Sequence, residues 1–267
     1  MARAFAPYAA VLRSRLRSQV SYRASFATDL VSSLLTGLTE LAEVWILFTA
    51  ASVLGGLALA GGLLLFGLSS FSFSIADLVV GHIERVPRYV LSGQLDVFYL
   101  RPQPILAQLI TSDISLKRLV RTAVGVVSLT LGLLWSSVHW TPARVAMLAL
   151  SLALGWVVFS ASFVVAASIA FFVLDSDEIA NAVTYGGSYA ARQPASVFPI
   201  PLRAVFAFVV PVAFVGYLPT LVLLGLGGPA LLPAGLAWAL PLVAALFWGV
   251  ALVCWRAGMR HYQSGGG

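Results

Sequence analysis

Six apolar segments, each long enough to cross a lipid bilayer, constrain this chain more than any other feature. A membrane-spanning helix needs about 20 mostly apolar residues. The candidate segments are 29–52, 57–80, 119–138, 145–174, 203–226 and 232–255. Only 10% of the 267 residues are charged, against about 25% in a typical soluble domain. Because so few charges cannot cover a surface in water, the sequence predicts an all-α integral membrane protein with one transmembrane domain over residues 1–267.

The second and third apolar segments are separated by a long polar segment, residues 81–121. It carries nine of the chain's 26 charged residues: Glu84, Arg85, Arg88, Asp96, Arg101, Asp113, Lys117, Arg118 and Arg121. A connection between two spans needs only a few residues, and longer loops are often functional. The length and arginine content of the polar segment therefore predict a docking surface. The alternative interpretation is an ordinary solvated loop.

The distribution of arginine and lysine predicts the orientation of the spans, because short cytoplasmic loops carry an excess of these residues. Five arginines precede the first span, the polar segment holds six basic residues, and Arg256 and Arg260 follow the last span. The breaks at 53–56 and 227–231 contain none. We therefore expect an even number of spans, with both termini and the polar segment in the cytoplasm. This placement accounts for the net charge of +6 without a nucleic-acid partner.

Two regions have less regular patterns. Residues 7–27 are predicted to form an interfacial helix in the headgroup layer, because their apolar side chains share one rough face. Residues 175–202 are too polar for a lipid-facing helix, but they can cross the membrane against other protein. In that case 203–226 is a re-entrant hairpin. Otherwise 175–202 is a cytoplasmic loop and 203–226 is the fifth span, and both alternatives give six spans.

The motifs of several enzyme classes are absent from the sequence. No phosphate-binding loop G-x-x-x-x-G-K-[ST] occurs, and Lys117 is the only lysine, so the chain itself is predicted not to hydrolyse ATP. His82, His139 and His261 are scattered, and no metal site or cofactor is expected. The acidic run 175–178 is predicted to cap a helix rather than to bind a cation.

Glu40 and Glu43 lie within the first span, three residues apart and so on one face of the helix. A charged side chain at the bilayer centre costs about 2.5–3.5 kcal/mol on insertion scales. Either the two acids pair with an arginine or stay protonated at an interface, or they line a translocation path for a cationic substrate, with Trp45 adding a cation–π contact. Asp77, near the end of the second span, is a further candidate for the path.

Two groups of motifs resemble the signatures of a six-span branch of the ABC type-2 permeases, some of them viologen-exporter-like. The first group lies in the polar segment and the second follows the ambiguous region: Gly93-Gln94-Leu95-Asp96, Leu100-Arg101-Pro102 and Pro104, then Phe198-Pro199, Pro201-Leu202-Arg203, Val210-Pro211 and Tyr217-Leu218-Pro219. Many members have tyrosine where this chain has Phe198. The resemblance covers essentially the whole chain.

The resemblance implies an exporter permease fold and a division of labour between subunits. Two permease subunits, identical or different, would form a dimer in a bacterial inner membrane above two copies of a separate ATPase, which binds the ATP and Mg²⁺. The segment Ile83–Asp96 would be the coupling helix. The residues implied to contact the ATPase are Glu84, Arg85, Arg88, Gly93, Leu95, Asp96, Arg101 and Pro102.

The cargo implied is a small amphipathic substrate, cationic or a lipid, moved out of the cell. Two other functions remain open from the residues. One is a secondary, proton-coupled multidrug transporter that uses Glu40 and Glu43, although inverted repeats typical of such transporters are not evident. The other is a membrane scaffold that does not transport.

Overall fold

A computed structural model of the protein describes residues 23–112, 118–173 and 176–262. These residues form helices and turns without a strand, as expected for an all-α protein. The helices in chain order are α1 (Arg23–Ala50), α2 (Leu59–Val80), α3 (Val86–Leu91), α4 (Asp96–Tyr99), α5 (Ile105–Thr111), α6 (Arg118–Trp135), α7 (Pro142–Ile169), α8 (Asp177–Asn181), α9 (Gly187–Ala191), α10 (Ile200–Ala204), α11 (Tyr217–Leu224) and α12 (Leu240–His261).

Five helices are long and apolar enough to cross a membrane. They are Phe26–Ala50, Leu59–Leu91, Arg118–Trp135, Pro142–Ile169 and Ala234–His261. The predicted first, second, third, fourth and sixth spans are therefore confirmed. The start of α7 shows how local chemistry sets a boundary, since the Thr141 side chain accepts a hydrogen bond from the Arg144 backbone nitrogen and Pro142 occupies the first turn. Both features are typical of helix N-termini.

A sixth passage through the bundle is formed by the chain from Asp177 to Val197. It consists of α8, a π-helical turn at Ala182–Gly186, α9 and a short 3-10 turn. Near its start, the Tyr185 hydroxyl donates to Glu84 (2.8 Å), at the beginning of the polar segment. Near its end, the Ser196 hydroxyl donates to the carbonyl of Gly55 (2.7 Å), in the loop between α1 and α2. We call the end of the bundle that holds the polar segment the polar end. The chain therefore crosses from the polar end to the opposite end of the bundle.

Residues 203–226 do not form a straight span. The helical stretches Ile200–Val209 and Val212–Leu224 meet at 77°. The stretch begins three residues after Val197, at the opposite end. It also finishes there, because a methyl group at Gly61, in the first turn of α2, would lie 2.9 Å from Leu224. The two stretches thus form a re-entrant hairpin. Of the two alternatives, this arrangement supports the one in which 175–202 crosses against other protein, and not the one in which 203–226 is the fifth span.

Helix α2 is the centre of the bundle, with 78% of its apolar window buried. Its contact with α6 depends on glycine. A methyl group at Gly132 would lie 2.6 Å from the backbone nitrogen of Leu64, and one at Gly125 would lie 2.8 Å from that of Phe71. Small residues let helix backbones approach closely in membranes. The glycines therefore set the α2–α6 distance, on which the position of the α6 arginines depends.

Some predictions fall on residues that the structure does not describe. The interfacial helix at 7–27 lies outside the described residues, except for its last five positions, which belong to α1. Asp113, Lys117 and Asp175 also lie outside them. Asp177 and Glu178 occupy the first turn of α8, where acidic side chains favour the helix dipole.

Candidate functional site

The polar segment folds as a compact series of short helices. A 3-10 helix at Gly81–Arg85 continues from α2 into α3, and α4 and α5 follow after turns. Pro87 lies in the first turn of α3, where its missing N–H has no helical partner to lose. Pro87 therefore marks the beginning of α3.

Gly93 ends α3 with a φ of +67°, a conformation that residues with a side chain rarely adopt. No atom lies within 4 Å of the position that its Cβ would take. Backbone conformation alone therefore explains the glycine of the G-x-L-D motif. The turn reverses the chain so that Leu95 enters the core, where it is completely buried.

Buried contacts fix the polar segment against the bundle. Ile83 and Leu109 are fully buried, and the Gln108 side-chain amide donates to the carbonyls of Phe98 (3.1 Å) and Gln103 (2.7 Å). The turn at 101–104, which contains Pro102, is thereby held open by a side chain from α5. Because of these buried contacts, we expect the polar segment to move as one body.

The exposed surface of the polar segment combines basic and apolar side chains. Its exposed members include Arg85, Arg88, Arg101 and Pro102, together with Leu91, Val97 and Leu100. Leu100 is 85% exposed, which is unusual for a leucine without a partner or lipid to cover it. Of the residues predicted to contact an ATPase, these arginines and Pro102 are accessible, whereas Leu95 supports the fold from inside.

Asp96 connects the polar segment to the end of the last helix. It is the first residue of α4. Its carboxylate accepts a hydrogen bond from the hydroxyl of Tyr262 (3.0 Å). Burial, the bond to Asp96 and the charge of Asp96 together raise the pKa of Tyr262 to about 12. The tyrosine therefore stays a neutral donor throughout the physiological pH range.

A first ionic network lies where α2 and α6 meet the polar segment. The Arg118 guanidinium contacts the carboxylates of Asp77 (3.0 Å) and Glu84 (3.0 Å), and it donates to the Asp77 backbone carbonyl (2.6 Å). Glu84 also accepts from Tyr185. Asp77 is 3% exposed, so this candidate path residue lies within the bundle. Glu84 likewise faces an arginine and a tyrosine of its own chain.

A second ionic network, the charge cluster, surrounds Glu40 and Glu43. One Glu40 carboxylate oxygen lies 2.8 Å from both Arg121 of α6 and Arg192 of the fifth crossing. The Glu43 carboxylate accepts from the Tyr189 hydroxyl (2.6 Å). The formal charges of the two acids and the two arginines cancel. Pairing with arginine, one of the two interpretations of these acids, is thus what the structure shows for Glu40.

Aromatic rings cover the two arginines of the charge cluster. The Arg192 guanidinium lies 5.7 Å from the ring centroid of Phe66 and 5.9 Å from that of Phe73, and Arg121 lies 5.9 Å from Phe73. Such contacts stabilise a cation away from water. Trp45, by contrast, packs edge-on against Trp135 at 6.0 Å, and its cation–π contact with a cationic substrate stays a prediction.

The sequence analysis gave no role to Arg192, and it named Arg203 only as part of a motif. Both arginines lie towards the opposite end. Arg192 is 9% exposed and pairs with Glu40. Arg203 donates to three carbonyls at the end of the fifth crossing, those of Ala195 (3.2 Å), Ser196 (2.7 Å) and Phe198 (3.0 Å). Because both charges are engaged by the protein, they do not conflict with the rule that places arginine on the cytoplasmic side. A charged residue in or beside a segment that can cross the membrane was the available signal.

Comparison with known proteins identifies the family. The profile described as ABC-2 family transporter protein matches residues 34–266. This chain belongs to the ABC-2 transporter family. No curated protein sequence and no solved structure matches it significantly.

Membership of the ABC-2 family makes the chain a multi-pass membrane component of a transport system. Members generally have no ATPase site and work with separate ABC ATPase subunits. The match covers the polar segment, the charge cluster and the re-entrant hairpin. These features therefore belong to the transport domain and not to an appended region.

The ABC-2 domain presents one incompletely covered face along α1, only 11% of whose apolar window is buried. A groove of about 570 Å³ follows this helix. Its described lining consists of hydroxyl, aliphatic and acidic side chains: Thr28, Val31, Ser32, Leu35, Thr36, Thr39, Glu40 and Glu43. The charge cluster thus borders a mixed surface, where a polar group can be accommodated at membrane depth.

Proposed function

We propose that this protein is the permease subunit of an ATP-driven exporter and that the polar segment receives the motion of a separate ATPase. The observation that carries the proposal is the exposure of Arg85, Arg88 and Arg101 on the same segment as the exposed Leu91 and Leu100. Exposed basic residues and exposed leucines suit a protein partner better than free solvent. Buried contacts hold the segment that carries them against the bundle.

The proposal includes an orientation. The ATPase would bind ATP and Mg²⁺ in the cytoplasm, so the polar end and both termini would lie on that side of a bacterial inner membrane. The arginine distribution supports this placement. Two ATPase copies would serve two permease subunits.

The second permease subunit, identical or different, would cover the face of α1. Val31, Leu35 and Ile46 on this helix are between 56% and 63% exposed, and Glu40 and Glu43 lie beside them in the groove. Polar residues at membrane depth are stable against protein or water but not against lipid. A partner on this face removes them from lipid and encloses a path between the subunits.

The proposed cargo is a small amphipathic molecule, cationic or a lipid, exported along this path. The Glu40 carboxylate is engaged by two arginines, so Glu43, with Tyr189 as its partner, is the acid better placed to meet a cationic group. Tyr189 is 52% exposed and Phe208 is 60% exposed, and both offer aromatic surface. The same engagement of Glu40 weakens the alternative of a proton-coupled transporter, which needs acids that exchange protons along a path.

The test is co-purification of the chain with a candidate ABC ATPase, followed by ATP hydrolysis in lipid nanodiscs. Arg101→Ala is expected to weaken the complex by about fivefold or more, since interface residues that matter cost over about 1 kcal/mol when truncated. Arg256→Ala is the matched control, because Arg256 is an exposed arginine at the same end but outside the polar segment. Absence of any ATPase complex, or equal effects of the two variants, would refute the proposal.

A further inference from the structure

The polar segment is connected along the chain only to α2 and α6, but one side chain joins it to two other spans. Tyr262 follows directly after α12 and contacts the segment twice. Its hydroxyl donates to Asp96 at the start of α4 (3.0 Å). Its ring stacks on Tyr99 at the end of α4, with centroids 6.1 Å apart and planes inclined by 9°.

The same ring packs against the end of α7. The Phe171 centroid lies 6.0 Å from that of Tyr262, at 75°, and 5.4 Å from that of Trp255 in α12. A methyl group at Gly258 would lie 2.5 Å from the Phe171 ring, so this ring fills the space between α7 and α12. The His261 ring stacks on Phe172 at 5.2 Å. The ends of α7 and α12 are therefore joined to each other, and Tyr262 joins both to α4.

Two contacts on a four-residue helix define its orientation as well as its position. The hydroxyl bond holds the first residue of α4 and the ring stack holds the last, so α4 cannot rotate without moving Tyr262. Hydrogen bonds to a charged acceptor are shorter and stronger than neutral ones. Burial and the neighbouring carboxylate also keep Tyr262 protonated and able to donate.

We propose that Tyr262 is a positioning residue that ties the polar segment to α7 and α12, so that an ATPase acting on the segment moves these two spans together with α2 and α6. This inference rests on the proposed coupling function of the polar segment. Without the tie, the link from α4 to α7 and α12 would be lost, although Gly81–Arg85 would still pack against α7 and Tyr185 would still contact Glu84.

The experiment uses the complex with its ATPase in nanodiscs, in a Cys254→Ala background that removes the only native cysteine. A nitroxide label is attached at Ser92→Cys on the polar segment or at Arg260→Cys near the end of α12, both exposed positions. EPR spectra are compared between the nucleotide-free state and the state trapped with ADP and vanadate. One label per chain reports on each site separately, without knowledge of the cargo.

In the parent protein, trapping should change the spectra of both labels. Tyr262→Phe removes the hydroxyl but keeps the ring, and the change at position 260 should become several-fold smaller while that at position 92 persists. Tyr262→Leu should reduce it further. Tyr99→Phe is the matched control, because no side-chain hydrogen bond of Tyr99 is present among the described residues and its ring remains. This variant should behave as the parent does.

Two results would overturn the inference. One is a parent in which the label at 92 responds and the label at 260 does not. The other is an undiminished response at 260 in both Tyr262 variants. ATPase co-purification and hydrolysis, measured on the same samples, separate these results from failure of the proposed function, in which no complex forms or neither label responds.

Discussion

Glu40 is the residue on which the charge cluster depends, because a single carboxylate oxygen meets both Arg121 and Arg192 at 2.8 Å. Glu40→Gln removes the one carboxylate that both arginines contact and leaves two cations beside the single charge of Glu43. Removal of one partner from a buried ion pair costs about 3 kcal/mol or more, so we expect a clear loss of thermal stability, measured by the unfolding temperature in detergent. Glu43→Gln should cost much less, since glutamine can still accept from Tyr189. Equal losses would contradict the structural role of Glu40.

This difference also decides how transport data should be interpreted. Loss of export in Glu40→Gln would follow from a damaged cluster whatever the cargo is. Glu43→Gln is the informative variant for a cationic cargo, because it changes one charge at the groove and leaves the arginine pairs intact.

Arg203 offers a second test at the scale of one residue. Its guanidinium satisfies three carbonyls where the fifth crossing ends. Arg203→Ala leaves these acceptors without their charged donor, and hydrogen bonds to charged groups contribute about 1.5–3 kcal/mol, so stability should fall by about that amount. Arg203→Lys keeps the charge but not the planar fork. Unfolding of the lysine variant at the parental temperature would show that the charge matters and the fork does not.

Single residues were predictable only where a local rule applied. Gly93 belonged to a motif, and its positive φ explains why. The sequence placed Glu40 and Glu43 on one helical face, and an arginine partner was one interpretation. The sequence could not predict which arginine pairs with Glu40. Arg192 lies far along the chain and reaches Glu40 only because the fifth crossing packs against α1.

At the scale of elements, the contact between α2 and α6 rests on glycine. Gly132→Ala would place a methyl group 2.6 Å from the Leu64 backbone nitrogen, so the helices must separate. Overpacking of this kind costs about 1–3 kcal/mol, and the unfolding temperature should fall. Gly249→Ala in α12 is the matched control, because no atom lies within 4 Å of its new methyl group. It should be neutral or stabilising, since alanine favours a helix over glycine by about 1 kcal/mol.

The Gly249→Ala control separates the effect of helix propensity from that of the close approach of α2 and α6. If Gly132→Ala and Gly249→Ala changed the unfolding temperature in the same direction and by the same amount, helix propensity would explain both. The close approach of α2 and α6 would then not be what Gly132 maintains.

Hydropathy predicted the spans that are mostly apolar and left the polar fifth crossing undecided. Helix α2 begins at Leu59 and ends at Val80, close to the predicted 57–80, because an apolar length is a local property. The fifth crossing carries Thr184, Ser188 and Arg192, all buried against other helices. Thr184 and Ser188 form hydrogen bonds within the crossing, whereas Arg192 pairs with Glu40 of α1, a tertiary contact that no window of sequence contains. The re-entrant hairpin at 203–226 is apolar enough for a span, and its bend is also set by tertiary contacts, so the sequence left both interpretations open.

For the whole molecule, the first turn of α6 joins the regions that the proposed mechanism must connect. Arg118 reaches α2 and the polar segment through Asp77 and Glu84. Arg121, one turn later, reaches α1 through Glu40, and Arg192 extends that pair to the fifth crossing. Displacement of the polar segment would therefore be felt at the groove on α1 through ionic contacts as well as through the chain.

The topology of the whole molecule is tested by labelling two positions that flank the re-entrant hairpin. Val197 and Leu226 are 43% and 37% exposed. In a Cys254→Ala background, Val197→Cys and Leu226→Cys should react with a membrane-impermeant thiol reagent from the same side, because the chain enters and leaves the membrane there. Ser92→Cys should react from the other side. If 203–226 were a straight span of about 20 residues, Val197 and Leu226 would label from opposite sides, and the fifth crossing at 177–197 would have to be abandoned.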